Sequence, residues 1–242
     1  MTRGALIIYC NNTKSGSLPG TIQDFKNYNA FLKSSLGGDW YSHEIICLQN
    51  PNEDSVRKAI KLLSGLDYTF VVFSGHGFFG ANNKQQYLEL MDCNVNADIL
   101  VTDAKKQTVI IDACRNLSYY NQSLGNVINE NTLMIGNPSR STRDLFDEHL
   151  KKCENGQMVI YAASIGEYSF DTYNGGAYSY TLLDMARNWG HNDKLYNIMP
   201  LNVIHKDVAV KVATYFKKQH PILVSNTQNR QNYFPFVVKY KI

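Results

Sequence analysis

Short apolar, β-branched runs alternate with helix-like segments along the first half of this chain, and this alternation is the strongest constraint on its fold. The runs are "ALIIYC" (5–10), "HEIICL" (43–48), "YTFVVFS" (68–74) and "TVIIDAC" (108–114). Runs of this length are typical of buried strands. Strand–helix–strand units pair their strands in parallel through right-handed crossovers. We therefore predict an α/β fold, a three-layer sandwich with a mostly parallel sheet of about six strands between helices.

Two of the intervening segments carry a helical pattern. From Thr21, apolar residues recur at three-and-four spacing until the Gly-Gly pair at 37–38. The second segment follows a proline, with Asn52 or Asp54 as its cap. Later segments predict a hairpin-like insertion, a strand, a helix and one or two late strands that could be antiparallel at the edge; these are "QYLELMDCNVN", "QMVIYAAS", "YSYTLLDMARNW", "PILVS" and "FPFVV".

Composition limits the classes of protein that fit. With 242 residues, 44% of them hydrophobic, the chain is long enough for one sizeable core, so residues 1–242 are expected to form a single domain. The net charge of +3 is spread along the chain, which argues against a nucleic-acid partner. Because no apolar stretch approaches about 18 residues and no signal peptide is evident, we expect no membrane contact and a cytoplasmic protein.

The five cysteines form no C-x-x-C pair, so neither a disulfide framework nor a metal site is predicted. Cys10 and Cys47 end strand-like runs and are expected to act as small buried hydrophobes.

Two strands of the predicted sheet end in reactive side chains. One delivers His76 between two glycines, and the other delivers Cys114, 38 positions later. Since parallel strands end at the same edge, an imidazole and a thiol are expected within reach of each other there. That pair is the minimum for acyl transfer, with His76 as base and Cys114 as nucleophile. The backbone amides of Gly77 and Cys114 are candidate oxyanion donors.

Either residue taken alone has a plain structural alternative, a hydrogen-bonded histidine or a packed cysteine. The combination is more specific. "VVFSGHG" followed by "TVIIDACRN" resembles the paired motifs of the caspase-like cysteine peptidases, which include caspases, metacaspases and paracaspases. "LPGTIQDF", "QYLELMD" and "IYAASIGEYSFDTYNGGAYSYTLL" resemble further segments of that superfamily.

The resemblance implies a caspase-like fold in two halves. It suggests a large-subunit-like half over residues 1–135, a linker at 136–156 and a small-subunit-like half at 157–242. The chain departs from caspases in having Asp112 where they have Gln, and in a His-to-Cys spacing shorter than their roughly 50 residues. These departures indicate a compact, bacterial-type member without aspartate specificity.

Asp112 lies two positions before the nucleophile, so on a strand its side chain shares a face with Cys114. A carboxylate there would attract a basic substrate side chain. The resemblance to metacaspases and paracaspases adds Asp24 and Asp171 to this acidic substrate pocket. The alternatives are that Asp112 caps a turn or pairs with Arg115, and that Asp24 is only a first-turn helix acid.

Arg115 follows the nucleophile and has two interpretations. Its charge would favour the thiolate, or it lies at the core boundary and binds backbone carbonyls. The expected linker contains four basic residues that suit self-cleavage, although it could equally be an ordinary loop and helix; they are Arg140, Arg143, Lys151 and Lys152.

The sequence therefore predicts a Cys-His endopeptidase that acts on protein or peptide substrates after Arg or Lys. The resemblance allows an effector role in defence or cell death, an activating partner protein and calcium activation, although no D-x-D-x-D spacing is present. One alternative is a catalytically silent caspase-like scaffold that binds protein partners. Another is a flavodoxin-like domain, but "NNTKSGSLPG" lacks the spacing of a phosphate loop.

Overall fold

A computed structural model describes residues 1–117, 142–192, 195–226 and 233–240. The strands of this part of the chain are β1 (Arg3–Tyr9), β2 (Asn12–Thr13), β3 (Gly16–Ser17), β4 (Ile45–Gln49), β5 (Tyr68–Ser74), β6 (Gly77–Gly80), β7 (Gln85–Glu89), β8 (Asn94–Asn96), β9 (Lys106–Asp112), β10 (Gly156–Tyr161), β11 (Asp171–Thr172), β12 (Gly175–Gly176), β13 (Ile198–Pro200), β14 (Ile222–Ser225) and β15 (Pro235–Val238). The helices are α1 (Gly20–Lys33), α2 (Glu53–Leu62), α3 (Thr142–Lys152), α4 (Ala177–Asn192) and α5 (Leu201–Tyr215), with short 3-10 turns at Ser42–Glu44 and Ala97–Leu100.

Six strands form the central sheet in the order β14-β10-β9-β5-β1-β4. All neighbours pair in parallel except β14, which is antiparallel to β10 at one edge. The predicted sheet and its antiparallel late strand are therefore confirmed. The second late strand, β15, instead pairs with β13 outside this sheet.

Both faces of the sheet are covered, because alternate residues of each central strand point into two different cores. On one face, Phe70 and Val72 of β5 join residues from α1, α3, α4 and α5. On the other face, Val71 and Phe73 join residues from α2 and the three-stranded sheet β6-β7-β8. The predicted three-layer sandwich and the predicted hairpin insertion are both present.

Local signals explain several helix boundaries. Asn52 caps α2, since its side chain accepts a hydrogen bond from the Ser55 amide at 2.9 Å. The helix α1 ends at Lys33, earlier than expected, and the chain then turns through Gly38 at a φ of +94°. Cys10 is buried as expected, but Cys47 is exposed because it lies on the edge strand β4.

Part of the expected linker is a packed helix. Residues 142–152 form α3, with Phe146 and Leu150 in the core, while residues 136–141, including Arg140, lie outside the described residues. Arg143 donates to both carboxylate oxygens of Glu44, at 2.8 and 2.5 Å. Because a peptidase needs an extended, accessible chain, this arrangement argues against Arg143 as a cleavage site. Lys151 and Lys152 are exposed at the end of the helix.

Within the described ranges, no helix has both the length and the apolar character needed to span a membrane.

Candidate active site

The segments that follow β5 and β9 run side by side at the carboxyl end of the sheet. The register aligns Ser74 with Asp112, and the Gly75 amide donates to the Asp112 carbonyl at 3.2 Å. Two residues further on, a Cβ atom added to Gly77 would lie 2.9 Å from the Cβ of Ala113. His76 and Cys114 therefore leave adjacent strands at the same edge.

The His76 ring is half-buried and makes a hydrogen bond with the backbone of Gly16, the first residue of β3. Burial lowers the pKa of His76, and both the nearby Glu89 and the bond to Gly16 oppose that effect. Among the described residues the ring nitrogen Nε2 has no hydrogen-bond partner. A neutral imidazole with an unengaged nitrogen is the form that a general base requires.

The Cys114 thiol is partly buried, and its Sγ donates to the Ser169 carbonyl at 3.5 Å. Burial raises the pKa of Cys114, and the negative charge of Asp112 acts in the same direction. The side chain at rest is thus a thiol, and a thiol needs a base to become a reactive thiolate.

Strand pairing decides where the Gly77 amide points. The Glu89 amide donates to the His76 carbonyl at 3.0 Å, which makes Gly77 and Leu88 a non-hydrogen-bonded pair of the antiparallel ladder. The Gly77 N–H therefore points away from β7. Gly77 also has no room for a side chain, because a Cβ would meet the Tyr87 carbonyl at 2.8 Å.

Gln86 and Arg115 hold the backbone at Cys114. The Gln86 side-chain amide donates to the Cys114 carbonyl at 3.1 Å, and its oxygen accepts from Arg115 Nε at 3.1 Å. The Arg115 guanidinium is buried 3.9 Å from the ring centre of Tyr161 and donates to the Ala163 carbonyl. Of the two interpretations of Arg115, the one at the core boundary is correct.

Asp24 and Asp112 form a pair of buried carboxylates beside this edge, at 1% and 4% exposure. Asp24 accepts from the Ser74 hydroxyl at 2.5 Å and from the Gly176 amide at 3.0 Å. Asp112 accepts from the amide and the hydroxyl of Ser179, at 3.0 and 2.7 Å. Burial raises the pKa of both carboxyls, and that of Asp24 rises further because Asp112 is close.

Both carboxylates thus bind the start of α4, where free amides favour negative charge. These contacts bear on the structural alternatives, and the capping one still holds for Asp112, which accepts from the Ser179 amide at the start of α4. Asp112 does not pair with Arg115, and Asp24 contacts the start of α4 while lying outside the first turn of its own helix. Gly175 and Gly176 are required here, because a Cβ on either would overlap one of the two carboxylates.

Asp171 completes the acidic group. Its carboxylate accepts from the Gly20 amide at 3.2 Å, at the start of α1, and it acts electrostatically on Asp24. Although the residue as a whole is exposed, the carboxylate packs against Gly20, and this local burial together with Asp112 raises the pKa of Asp171 to about 6. The three acids predicted from the sequence are therefore neighbours.

The described residues supply no cation to this group. Hydroxyls and backbone amides make its hydrogen bonds, and no Lys or Arg forms an ion pair with any of the three acids in this part of the chain. The same residues contain no group of three or more His, Cys, Asp or Glu side chains arranged to hold a metal ion.

Comparison with known proteins gives this arrangement a family. The family model described as the caspase domain matches residues 2–233. The chain belongs to the caspase-domain family. Among solved structures, caspase-1 from Spodoptera frugiperda superposes with a TM-score of 0.61 over 92% of this chain and 86% of that one, at 16% identity, and so shares the fold. A search of curated proteins finds no match.

Several polar residues of this caspase domain escaped the sequence analysis. Ser169 donates to Asp112 at 2.5 Å, and Gln219 holds Ser169 and the Phe170 amide in place. The Ser74 hydroxyl donates a hydrogen bond to Asp24, and the Ser179 hydroxyl donates one to Asp112. Single serines and glutamines carry no pattern that marks them, because their roles arise from contacts between segments far apart in sequence.

Proposed function

We propose that the chain is a cysteine endopeptidase that uses Cys114 and His76 and cleaves after Arg or Lys. The observation that carries the proposal is a group of three carboxylates, with no cation bound to it among the described residues, beside the strand end that bears Cys114. Asp112 belongs to that group and lies two residues before the thiol. A substrate guanidinium or ammonium would supply the missing charge.

The reaction follows from the two side chains. His76 removes the Cys114 proton, and the thiolate attacks the carbonyl carbon of the scissile bond. The Gly77 and Cys114 amides donate to the resulting oxyanion. The C–N bond then breaks, His76 returns the proton to the leaving amine, and water hydrolyses the thioester to regenerate the thiol.

The acid group also accounts for the expected selectivity. A substrate aspartate would meet like charges at Asp112 and Asp24, which repel it, whereas Arg forms bidentate bonds with carboxylates. The raised pKa values support selectivity for Arg or Lys. Without a bound cation these carboxyls are costly to ionise, so the arrival of a cation stabilises their charged form strongly.

The test compares three fluorogenic peptides that differ only in having Arg, Lys or Asp before the scissile bond. We expect turnover of the Arg and Lys peptides, none of the Asp peptide, and none at all by Cys114→Ala, which leaves the acids intact. Turnover of the Asp peptide alone would overturn the proposed specificity.

A second candidate is a silent scaffold of the same fold, favoured by one observation. The Cys114 thiol donates to Ser169, and no hydrogen bond to His76 is present. An arginyl chloromethylketone separates the two, because alkylation of Cys114 requires both a reactive thiolate and a pocket for Arg. Absence of labelling, with the protein folded, would favour the scaffold.

Self-processing is a further part of the proposal. With Arg143 held in its ion pair, Arg140, Lys151 and Lys152 remain as sites. Comparing the intact mass of wild type with that of Cys114→Ala tests self-processing. If both chains have the mass of the uncut protein, self-processing is excluded. The defence role, the activating partner, calcium activation and the cytoplasmic location stay predictions from the resemblance and the sequence.

A further inference from the structure

Glu89 is a buried acid beside the proposed base that the reaction above does not use. It is the last residue of β7, with 7% of its surface exposed. Its backbone amide donates to the His76 carbonyl at 3.0 Å. Its carboxylate oxygen Oε1 accepts from the Ser15 amide at 2.9 Å. One residue thus contacts both the backbone of His76 and the turn next to the Gly16 backbone group that binds the His76 ring.

The turn that Glu89 holds needs an anchor. It joins β2 and β3, two strands of two residues each, and Gly16, which follows it as the first residue of β3, has a φ of +122°. Such a short hairpin has little stability of its own. Because the Glu89 bond attaches it to β7, the hydrogen-bond partner of the His76 ring is fixed relative to the His76 backbone.

The charge of Glu89 has a second consequence. No basic side chain forms an ion pair with Glu89 in the described ranges, and the nearby Lys14 donates to the Asp92 carbonyl instead. Among the described residues, Glu89 is the charged group that acts electrostatically on His76. Cys10, on which Glu89 also acts, lies against Gly75, and Cys114 follows the adjacent strand β9. A buried carboxylate near an imidazole stabilises its protonated form.

We propose that Glu89 is the positioning residue of the proposed base: it fixes the Ser15–Gly16 turn and stabilises the imidazolium that forms when His76 takes the Cys114 proton. This inference rests on the proposed function. It assigns to Glu89 the task that the third member of a catalytic triad performs, divided between a backbone hydrogen bond and an uncompensated charge.

The test uses the full chain with Glu89→Gln, Glu89→Asp and the exposed control Glu148→Gln. Gln keeps an oxygen for the Ser15 amide and loses the charge, whereas Asp keeps the charge and shortens the reach. The first readout is the His76 titration by NMR, assigned with His76→Ala. We expect the pKa of His76 to fall by about one pH unit in Glu89→Gln and to stay near the wild-type value in Glu89→Asp and Glu148→Gln.

The second readout is turnover of the arginyl peptide across pH. For Glu89→Gln we expect kcat to fall about tenfold or more, the acid limb of the profile to move to lower pH, and KM to stay unchanged, because the acid group is intact. An unchanged His76 pKa and an unchanged acid limb in Glu89→Gln would overturn the inference.

The two proposals fail in different ways. If no peptide is cleaved but the His76 pKa still falls in Glu89→Gln, the proposed function fails while the electrostatic part of the inference stands. If wild type cleaves after Arg and Glu89→Gln is identical to it, the inference fails alone. Should Glu89→Gln not fold, Glu89→Asp decides: we expect its turnover to fall because the bond to Ser15 is lost, and turnover equal to wild type would overturn the positioning role.

Discussion

Two groups of buried charges lie at opposite ends of the central sheet, and they are built differently. At the amino end, Arg3 and Arg143 face Glu44 and Asp147, with ion-pair distances of 3.2 Å to Asp147 and 2.5 Å to Glu44. At the carboxyl end, Asp24, Asp112 and Asp171 face amides and hydroxyls. The first group is balanced within the fold, and the second is not.

The pKa directions express this difference at Glu44 and Arg143. Burial works to raise the pKa of Glu44, but its bonds to Arg143 outweigh burial and the pKa is lowered. In the Arg3–Asp147 pair burial outweighs the attraction of the two charges: it lowers the pKa of Arg3 to about 10 and raises that of Asp147. The Arg3 guanidinium also lies 4.5 Å from the ring centre of Trp40. At the carboxyl end, Asp24, Asp112 and Asp171 have no Lys or Arg among the described residues to compensate their charge. Removing one partner of a balanced group leaves a buried charge uncompensated, whereas an unbalanced group is suited to binding a charged ligand.

The largest expected effect is on activity at the unbalanced group. Asp112→Asn keeps an acceptor for Ser179 and removes one charge, so we expect kcat/KM for the arginyl peptide to fall by about a thousandfold. The melting temperature should be unchanged or higher, since an uncompensated buried charge is gone. Peptide assays and thermal unfolding measure both, with Glu148→Gln as control. Full activity on the arginyl peptide would show that the acid group does not bind the substrate cation.

At the balanced group the expected effect is on stability. Arg3→Met leaves Asp147 and Glu44 with less compensation in the interior, so we expect the free energy of unfolding to fall by about 3 kcal/mol. Arg57→Met is the matched control, because the exposed Arg57–Glu53 pair on α2 contributes only about 0.5 kcal/mol. Denaturant unfolding measures both variants. Equal, small losses would mean that the two ends of the sheet do not differ in this way.

Asp171 should give a smaller effect with a pH signature. Since its pKa is raised to about 6, the carboxylate takes up a proton and loses its charge as pH falls through 6. Benzamidine binding to Cys114→Ala, measured by calorimetry between pH 8 and 5, should therefore weaken as pH falls. In Cys114→Ala combined with Asp171→Asn, binding at pH 8 should be about tenfold weaker and should vary less with pH. Identical pH profiles would remove Asp171 from the site.

The smallest expected effect is on the stability of the unliganded protein. Acids whose pKa is raised by folding favour the folded state at low pH, and this contribution is lost as pH rises from about 4 through the raised values. A saturating cation should reverse the loss. We expect benzamidine, at a fixed concentration a hundred times its Kd at pH 8, to raise the melting temperature by about 5 °C at pH 8 and by less at pH 5. A shift independent of pH would indicate binding elsewhere.

The fold was predictable because its signals are local. The apolar run "TVIID" predicts the strand β9, and Asn52 predicts the cap of α2. Placing His76 and Cys114 at one edge needed only the rule that parallel strands end together. The exposure of Cys47 was not predictable in the same way, because an edge strand and a central strand are not distinguished by a short apolar run.

The site was predictable only in part. Its acids sit within recognisable motifs, whereas Ser179, Gln86 and Glu89 act through contacts with residues 67, 28 and 74 positions away. The ion pair of Arg143 was not predictable, because a basic residue in a polar stretch looks the same in the sequence whether it is free or bound to Glu44. Long-range pairing of polar groups is the information that a single sequence lacks.

The central claim is that uncompensated carboxylates select a substrate cation, and it can be measured with two peptides. Arginine and citrulline have nearly the same shape, and only arginine is charged. We expect the wild type to show a kcat/KM for the arginyl peptide about a thousandfold above that for the citrullinyl peptide, and Asp112→Asn to reduce this ratio sharply. Equal kcat/KM values for the two peptides in the wild type would contradict the account.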